Sequence, residues 1–344
     1  MIEWNQQESY TQLQWEQEAS VFRDYNLYQS WAYLSVRAEK KRQTLLPICL
    51  RLQGQPCLMA QVRIIWIPLF GLKVGYVQWG PMMRKAERLD PVPVDALARF
   101  RSIMIPNIVQ VLRIVPNLYT LETADTWKED FLQAGWSPAG SVRPYHTFLF
   151  PLDLSEEEMR KRLHRKWRTT LNKAQQAGLE ASESSDIKYF QILDGYYRSA
   201  QEKKGFQGLD LEDYARTQEM LLTDQKMNAV IISENGEPLS IDINSYLGDT
   251  CLGLFQSTSQ RGLEINASYL VWWQTFLAAK RAGMRRYDMG GVDPQKNPSV
   301  YQFKKRIGGD EVFQIGGFEA YANSFVKEIW RFLSWIYQLK RDIR

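Results

Sequence analysis

The chain has 344 residues, 44% of them hydrophobic and 24% charged, with a formal net charge of +4. At about 100–200 residues per domain, this length predicts two domains with cores of their own, and the composition argues against a disordered chain. Three cysteines (Cys49, Cys57 and Cys251) without a CxxC pair, and only His146 and His164 as imidazoles, argue against a disulfide framework and against a metal site.

The first ten residues carry neither a basic nor an apolar leader segment. The most apolar stretch, 64–77, is interrupted by Pro68, Gly71, Lys73 and Gly75, which is too short and broken to span a bilayer. A cytoplasmic protein is expected, with access to the inner face of a membrane left open.

In chain order, residues 29–41 predict a helix. Residues 45–52 and 57–66 predict strands, the second with Arg63 interrupting its apolar run, and 72–79 a third strand before the turn at Gly80-Pro81. Residues 91–115 read as one long helix ending before Pro116. Then come a short strand at 118–122, a helix at 128–134 stopped by Gly135, and a strand at 147–152 that leaves the first unit. The plan then repeats. Ser155 and three glutamates open a helix that runs to about 177. Helices at 187–204 and 211–222 follow, then a meander over 229–234, 238–246 and 250–257 with turns at Asn235-Gly236 and Gly248-Asp249. An apolar helix at 267–283 and a strand at 286–289 complete the repeat. This order predicts an α+β fold of mixed sheets flanked by helices, duplicated at a spacing too long for a solenoid.

Four stretches carry a resemblance to a known family. They are Gln29-Ser30-Trp31-Ala32-Tyr33; Gly75-Tyr76-Val77-Gln78-Trp79-Gly80-Pro81-Met82; the basic run 163–178; and Tyr287-Asp288-Met289-Gly290-Gly291-Val292-Asp293, followed by residues 297–309 with Tyr301, Phe303-Lys304 and Gly308-Gly309. Together they resemble the FemABX peptidyltransferases, whose most specific pattern is Tyr-Asp-x-Gly-Gly and then Phe-Lys shortly before Gly-Gly. The resemblance implies two tandem acetyltransferase-like (GNAT) domains. Residues 1–148 with about 318–344 would form the acceptor-binding domain and 149–317 the donor side.

The resemblance further implies an aminoacyltransferase that takes an amino acid from aminoacyl-tRNA, as co-substrate and with no other cofactor. The acceptor would be an amine of the peptidoglycan stem peptide, on UDP-muramyl-pentapeptide or lipid II. Lys304 matches the lysine that the family links to catalysis, and Tyr76, Gly290, Gly291, Tyr301 and Phe303 fall in the matching stretches as substrate-binding candidates. Arg37 stands where the family uses a lysine for acceptor phosphates, and Lys203 or Lys204 matches a basic residue after a second-domain helix.

The residues can be weighed without the family. Attack of an amine on an ester builds an oxyanion, which needs a positive donor, and Lys304 can supply it. Alternatively, Lys304, Lys305 and Arg306 are a solvated helix face. Gly290-Gly291 lets backbone approach a ligand, or forms a tight turn. Asp288, the second catalytic candidate, and Asp293 can orient the amine or take its proton, or pin the loop. With no histidine nearby, the chemistry would rest on positioning and charge.

At 260–267, where an acyl-CoA enzyme cradles pyrophosphate, Leu263 or Glu264 replaces a central glycine. That counts against the alternative, an acyl-CoA-dependent N-acyltransferase acting on an amino sugar for surface polysaccharide. A non-catalytic binding module is the third possibility. The cations at 160–173 suit an RNA backbone, or a solvated face balanced by Glu156, Glu157 and Glu158. Residues 325–344 mix aromatic and basic side chains, which suits either peripheral contact with an anionic membrane or a helix packed on the first domain.

Overall fold

The computed structural model describes residues 2–3, 10–85, 94–120, 124–204 and 211–342. The chain opens with β1 (Ile2–Glu3), α1 (Gln12–Ala19), α2 (Trp31–Lys41), β2 (Thr44–Leu52), β3 (Gln55–Ile67), β4 (Leu72–Gln78), α3 (Val94–Met104), β5 (Val111–Val115), α4 (Ala124–Gln133) and β6 (Ser137–Pro138). It continues through β7 (His146–Pro151), α5 (Glu156–Arg162), α6 (Arg165–Gln175), β8 (Glu180–Ser184), α7 (Lys188–Lys204), α8 (Leu211–Met220), β9 (Asn228–Glu234), β10 (Glu237–Leu247) and β11 (Thr250–Thr258). It closes with α9 (Gln260–Glu264), α10 (Ala267–Arg281), β12 (Arg286–Asp288), α11 (Pro298–Lys305), β13 (Asp310–Phe313), β14 (Phe318–Tyr321) and α12 (Ser324–Asp342).

Two compact units result. Unit one is Met1–Tyr145 with Phe313–Arg344, and unit two is His146–Val312. Each holds a seven-stranded sheet. The orders are β1-β2-β3-β4-β5-β14-β6 and β8-β9-β10-β11-β12-β7-β13. In both, the first four strands are antiparallel, the fourth and fifth run parallel, and the sixth returns antiparallel. A parallel step needs a crossover, which α3 supplies in unit one and α10 in unit two. The sixth strand of each sheet is remote in sequence from its neighbours: β14 sits between β5 and β6, and β7 between β12 and β13.

One face of the first sheet packs against α3 and α4 through Leu97, Phe100, Phe131 and Trp136. On the other, Val326 of α12 meets Leu72, Val74 and Val111, with Ile329, Trp330 and Leu333 alongside. The second sheet buries Phe148, Phe150, Val230 and Tyr287 against Trp167, Leu171, Leu270 and Phe276 of α6 and α10.

Three elements differ from expectation. Residues 91–115 are not one helix: α3 ends at Met104, and β5 begins at Val111. Pro106 offers no N–H to continue a helix, and the branched residues of Val111-Leu112-Arg113-Ile114-Val115 suit a buried strand. Residues 118–120 form no strand; Tyr119 makes a single bridge to Gln314, and 121–122 lie outside the described residues. The helix opened by Ser155 breaks at Leu163-His164 into α5 and α6. Met159, Leu163, Trp167 and Leu171 are all buried. A straight helix would turn Leu171 about 120° away from Met159, and the break lets both segments face the core.

Candidate active site

In unit two, β12 ends at Asp288, and its parallel pairing with β11 ends there too, at the pair Leu252–Asp288. The Gly290-Gly291 loop follows. Asp288 is fully buried. Its carboxylate accepts from Thr147 Oγ1 of β7 at 2.6 Å and from the Gly290 N–H at 2.9 Å. Those bonds fold the loop back over the strand end. Gly290 has a φ of +78°, and a Cβ there would meet the Gly253 carbonyl at 3.2 Å and Lys304 Nζ at 3.4 Å. Only glycine meets both demands.

Helix α11 brings Lys304 to this loop. Its start is fixed by Asn297, whose Oδ1 accepts from the Val300 N–H, and by Pro298 at the first turn. Lys304 Nζ donates to the Gly290 carbonyl at 3.0 Å and to the Gly291 carbonyl at 3.3 Å. An ammonium has three N–H bonds, so two are used to hold it and one remains. Burial pushes the Lys304 pKa down to about 8, while the charges of Asp288 and Asp242 pull the other way. Lys304 is therefore not a solvated helix face like its neighbour Lys305, whose Nζ lies 5.4 Å from the Tyr301 ring centroid.

Asp288 pins the loop through its hydrogen bonds. With Thr147 and Gly290 on its carboxylate and no exposure, it holds the loop against which Lys304 sits. Asp293 likewise turns the loop, accepting from the N–H groups of Gln295 and Lys296. Phe303 packs among Trp167, Tyr269 and Trp272 and so seats α11. Tyr301 is partly exposed, donates to Glu311 at 2.9 Å and lies beside His146 and Phe148. Gly309 is close-packed: a Cβ there would meet the Leu149 carbonyl at 3.0 Å.

A buried carboxylate not singled out from the sequence lies beneath this site. Asp242 of β10 accepts from Thr275 Oγ1 at 3.0 Å and Tyr287 Oη at 3.1 Å, and Asn244 Oδ1 lies 2.8 Å from the same Tyr287 hydroxyl. Burial pushes its pKa up to about 7 against those hydrogen bonds. Gly253 makes room for the Tyr287 ring, since a Cβ there would overlap the hydroxyl. The signal available in the sequence was one carboxylate inside the apolar alternation Leu239-Ser240-Ile241-Asp242-Ile243.

Unit one holds a cavity of about 600 Å³ between its sheet and α12, whose lining includes Arg63, Tyr76, Arg113 and Arg143 with Ile65 and Trp330. Arg113 is matched by buried Glu319 at 2.6 Å. Arg63 is only 8% exposed. It lies 5.0 Å over the Tyr76 ring and reaches the amide oxygens of Gln43 and Gln78 at 3.3 and 3.4 Å. Among the described residues no carboxylate pairs with it, and its Nε lacks a partner. Burial, and the nearby Arg37 charge, lower its pKa against the pull of Tyr76 and Tyr33. Tyr76 and the neighbourhood of Arg37 thus come together, with Arg63 as the added cation.

Other candidates scatter. Only the backbone of Lys203 and Lys204 is described, at the end of α7, and their side chains lie outside the described residues. In the basic run, Arg162 is bound to Asp310 at 2.6 Å, Lys161 to Glu157 at 2.7 Å, and Arg160 to Asn172. Arg165, Lys166 and Lys173 are exposed. The 260–267 segment forms α9, where Gly262 lets the helix approach β10: a Cβ would meet the Leu239 carbonyl at 2.7 Å.

Residues 229–334, which span the Asp242 network, the Gly290-Gly291 loop and Lys304, match the FemAB family. Comparison with curated protein sequences gives no match. Among solved structures, that of FemX is similar over 95% of this chain and 99% of its own, with a TM-score of 0.80 at 14% identity. A Bacteroides thetaiotaomicron protein of unknown function is similar over 94% of this chain and 100% of its own, with a TM-score of 0.57 at 9% identity. The FemAB match falls on the most specific motifs, and the fold is similar to that of FemX, two mixed sheets of the expected tandem acetyltransferase-like kind.

Proposed function

We propose that the protein is an aminoacyltransferase that moves an amino acid from aminoacyl-tRNA to an amine of a peptidoglycan precursor stem peptide. The observation that carries this is Lys304, held under the Gly290-Gly291 loop by two carbonyls with one N–H to spare. The acceptor nitrogen attacks the ester carbonyl, and the oxyanion that forms is stabilised by the remaining Lys304 N–H. Collapse breaks the bond to the tRNA ribose oxygen, which takes the proton released by the amine. Unit two then holds the donor, and unit one the acceptor, with Arg63, Tyr76 and Arg37 for anionic groups. A guanidinium suits phosphate oxygens in two-point contact.

Taking up Gly262 in helix–sheet packing disfavours acyl-CoA as donor, because that glycine is then not a phosphate cradle. The test is a product-mass assay on purified protein. UDP-muramyl-pentapeptide or lipid II is supplied with charged tRNAs in one tube and with acyl-CoAs in another. A gain of one amino-acid mass that RNase abolishes is expected. A gain only with acyl-CoA would overturn the donor and favour the N-acyltransferase alternative.

A further inference from the structure

The C-terminal helix packs by one face and leaves the other bare. Val326, Ile329, Trp330 and Leu333 of α12 face the first sheet. The helix is tied there by a half-buried network. Trp330 Nε1 donates to Glu319 at 2.7 Å, Arg113 donates to the same carboxylate at 2.6 Å, and Arg113 also reaches Ser334 Oγ at 3.2 Å. With that face fixed, Phe325, Phe332 and Trp335 stand outward at 74%, 55% and 56% exposure. Their spacing of seven and three places them on one side of the helix.

A second apolar projection rises from the cluster on which the helix packs. Ile67 and Leu72 flank the turn Pro68–Phe70 and belong to the same cluster as Val326 and Leu333, and Leu69 at the tip is 85% exposed. Exposed apolar residues scattered singly need no explanation, but a grouped set of aromatics does.

Charge selects the occupant. Residues 324–344 contain five basic side chains (Lys327, Arg331, Lys340, Arg341 and Arg344) and two acidic ones (Glu328 and Asp342), a net +3, against +4 for the whole chain. Lys327 and Arg331 line a cavity beside the helix together with Trp335 and Ser334. Aromatic residues on one stripe, flanked by basic ones, suit the headgroup zone of a bilayer rich in anionic lipid. No described helix is long and apolar enough to cross a membrane, so the contact is with a surface.

We propose that the outward face of α12, with the Leu69 turn beside it, docks unit one on an anionic lipid bilayer. Phe325, Phe332 and Trp335 enter the interfacial layer, and Lys327 and Arg331 meet lipid phosphates. This does not depend on the aminoacyltransferase assignment, because its readout is binding and not turnover.

The test is co-sedimentation of the full chain with vesicles of phosphatidylcholine alone and of phosphatidylcholine mixed with phosphatidylglycerol. Binding to the mixed vesicles, weakened by salt, is expected. The double variant Phe332→Ser, Trp335→Ser should partition about tenfold or more weakly. Arg331→Glu should weaken binding to the mixed vesicles with the aromatic face intact. Leu263→Ser, at an exposed apolar residue of unit two, should bind as the parent does. All are surface changes, and thermal melts matching the parent check that each folds. Absence of binding to mixed vesicles, or undiminished binding by the double variant, would overturn the proposal. So would a dimer in solution that the double variant dissolves, since the face would then belong to a second copy.

Discussion

The two units share a sheet order yet differ where their fourth and fifth strands meet. In unit one, β4 and β5 stay paired over five positions, Val74–Gln78 with Val111–Val115. In unit two, β11 and β12 pair over three, Thr250–Leu252 with Arg286–Asp288, and then part at Gly253. The shorter pairing leaves a fork, and into it fold the Gly290-Gly291 loop and Lys304. Among the described residues, unit one shows no equivalent lysine site. It places an uncompensated guanidinium over a tyrosine in an apolar cavity instead. One frame thus supports a polar site that can stabilise developing charge, and another suited to holding an anion.

If the division is right, the largest effect belongs to the fork. Lys304→Ala should lower turnover by about 10²- to 10³-fold, the scale of losing one oxyanion donor, with the melting curve unchanged. Steady-state kinetics would check it, and retained activity would remove Lys304 from the chemistry. Lys304→Arg keeps the charge and should retain part of the rate.

Within the unit-one cavity, two arginines should behave oppositely. Arg113→Met strands the buried Glu319 carboxylate and should destabilise the fold by about 3 kcal/mol. Arg63→Met removes a buried cation with no carboxylate partner and should leave stability equal or higher. It should also raise the acceptor KM by about tenfold at unchanged kcat, because a charge-assisted contact is lost from binding alone. Denaturant melts and acceptor titrations on both variants would separate these outcomes. Equal behaviour would mean that the cavity does not distinguish paired from unpaired cations.

The sequence disclosed the sheets through alternation, the candidate second-unit site through the spacing of Gly290-Gly291 and Phe303-Lys304, whose Lys304 the fold does bring to the glycine loop, and the duplication through the recurring element order. What it concealed has physical causes. The 91–115 stretch reads as a helix throughout because α3 and β5 are both apolar, and only Pro106 marks the change. The break at Leu163-His164 carries no proline or glycine, being set by the core that Leu163 and Trp167 share. Arg63 and Asp242 each interrupt an apolar strand, which is visible, but whether a buried charge has a partner depends on contacts remote in sequence. The sequence also allowed both roles for α12, and the structure gives its two faces different environments.

Smaller again is the effect of closing space at the fork. Gly253→Ala puts a Cβ onto the Tyr287 hydroxyl and should cost about 1–3 kcal/mol, as overpacking does. Gly75→Ala in unit one would meet side-chain methyls of Leu112, Val62 and Val109, at 2.9, 3.1 and 3.4 Å, and should cost less. Denaturant unfolding of the two variants would rank them. The reverse order would mean that β11 yields more easily than β4.

The subtlest difference is in titration. In the proposed mechanism Lys304 works as a cation, so the rate should fall as pH rises through its pKa of about 8. Asp242 lies near enough to raise that pKa, and with its own at about 7 it is mostly ionised where Lys304 titrates. Asp242→Asn keeps an oxygen to accept from Tyr287 and Thr275 but removes the charge. Burial then acts on Lys304 with less opposition, and the alkaline limb should move to lower pH. Lys304→Arg should lose the limb, since a guanidinium stays protonated. A pH–rate profile of the three proteins would check this. A limb unmoved by Asp242→Asn would mean that the fork is electrostatically independent of the network beneath it, leaving Asp288 as the carboxylate that tunes the lysine.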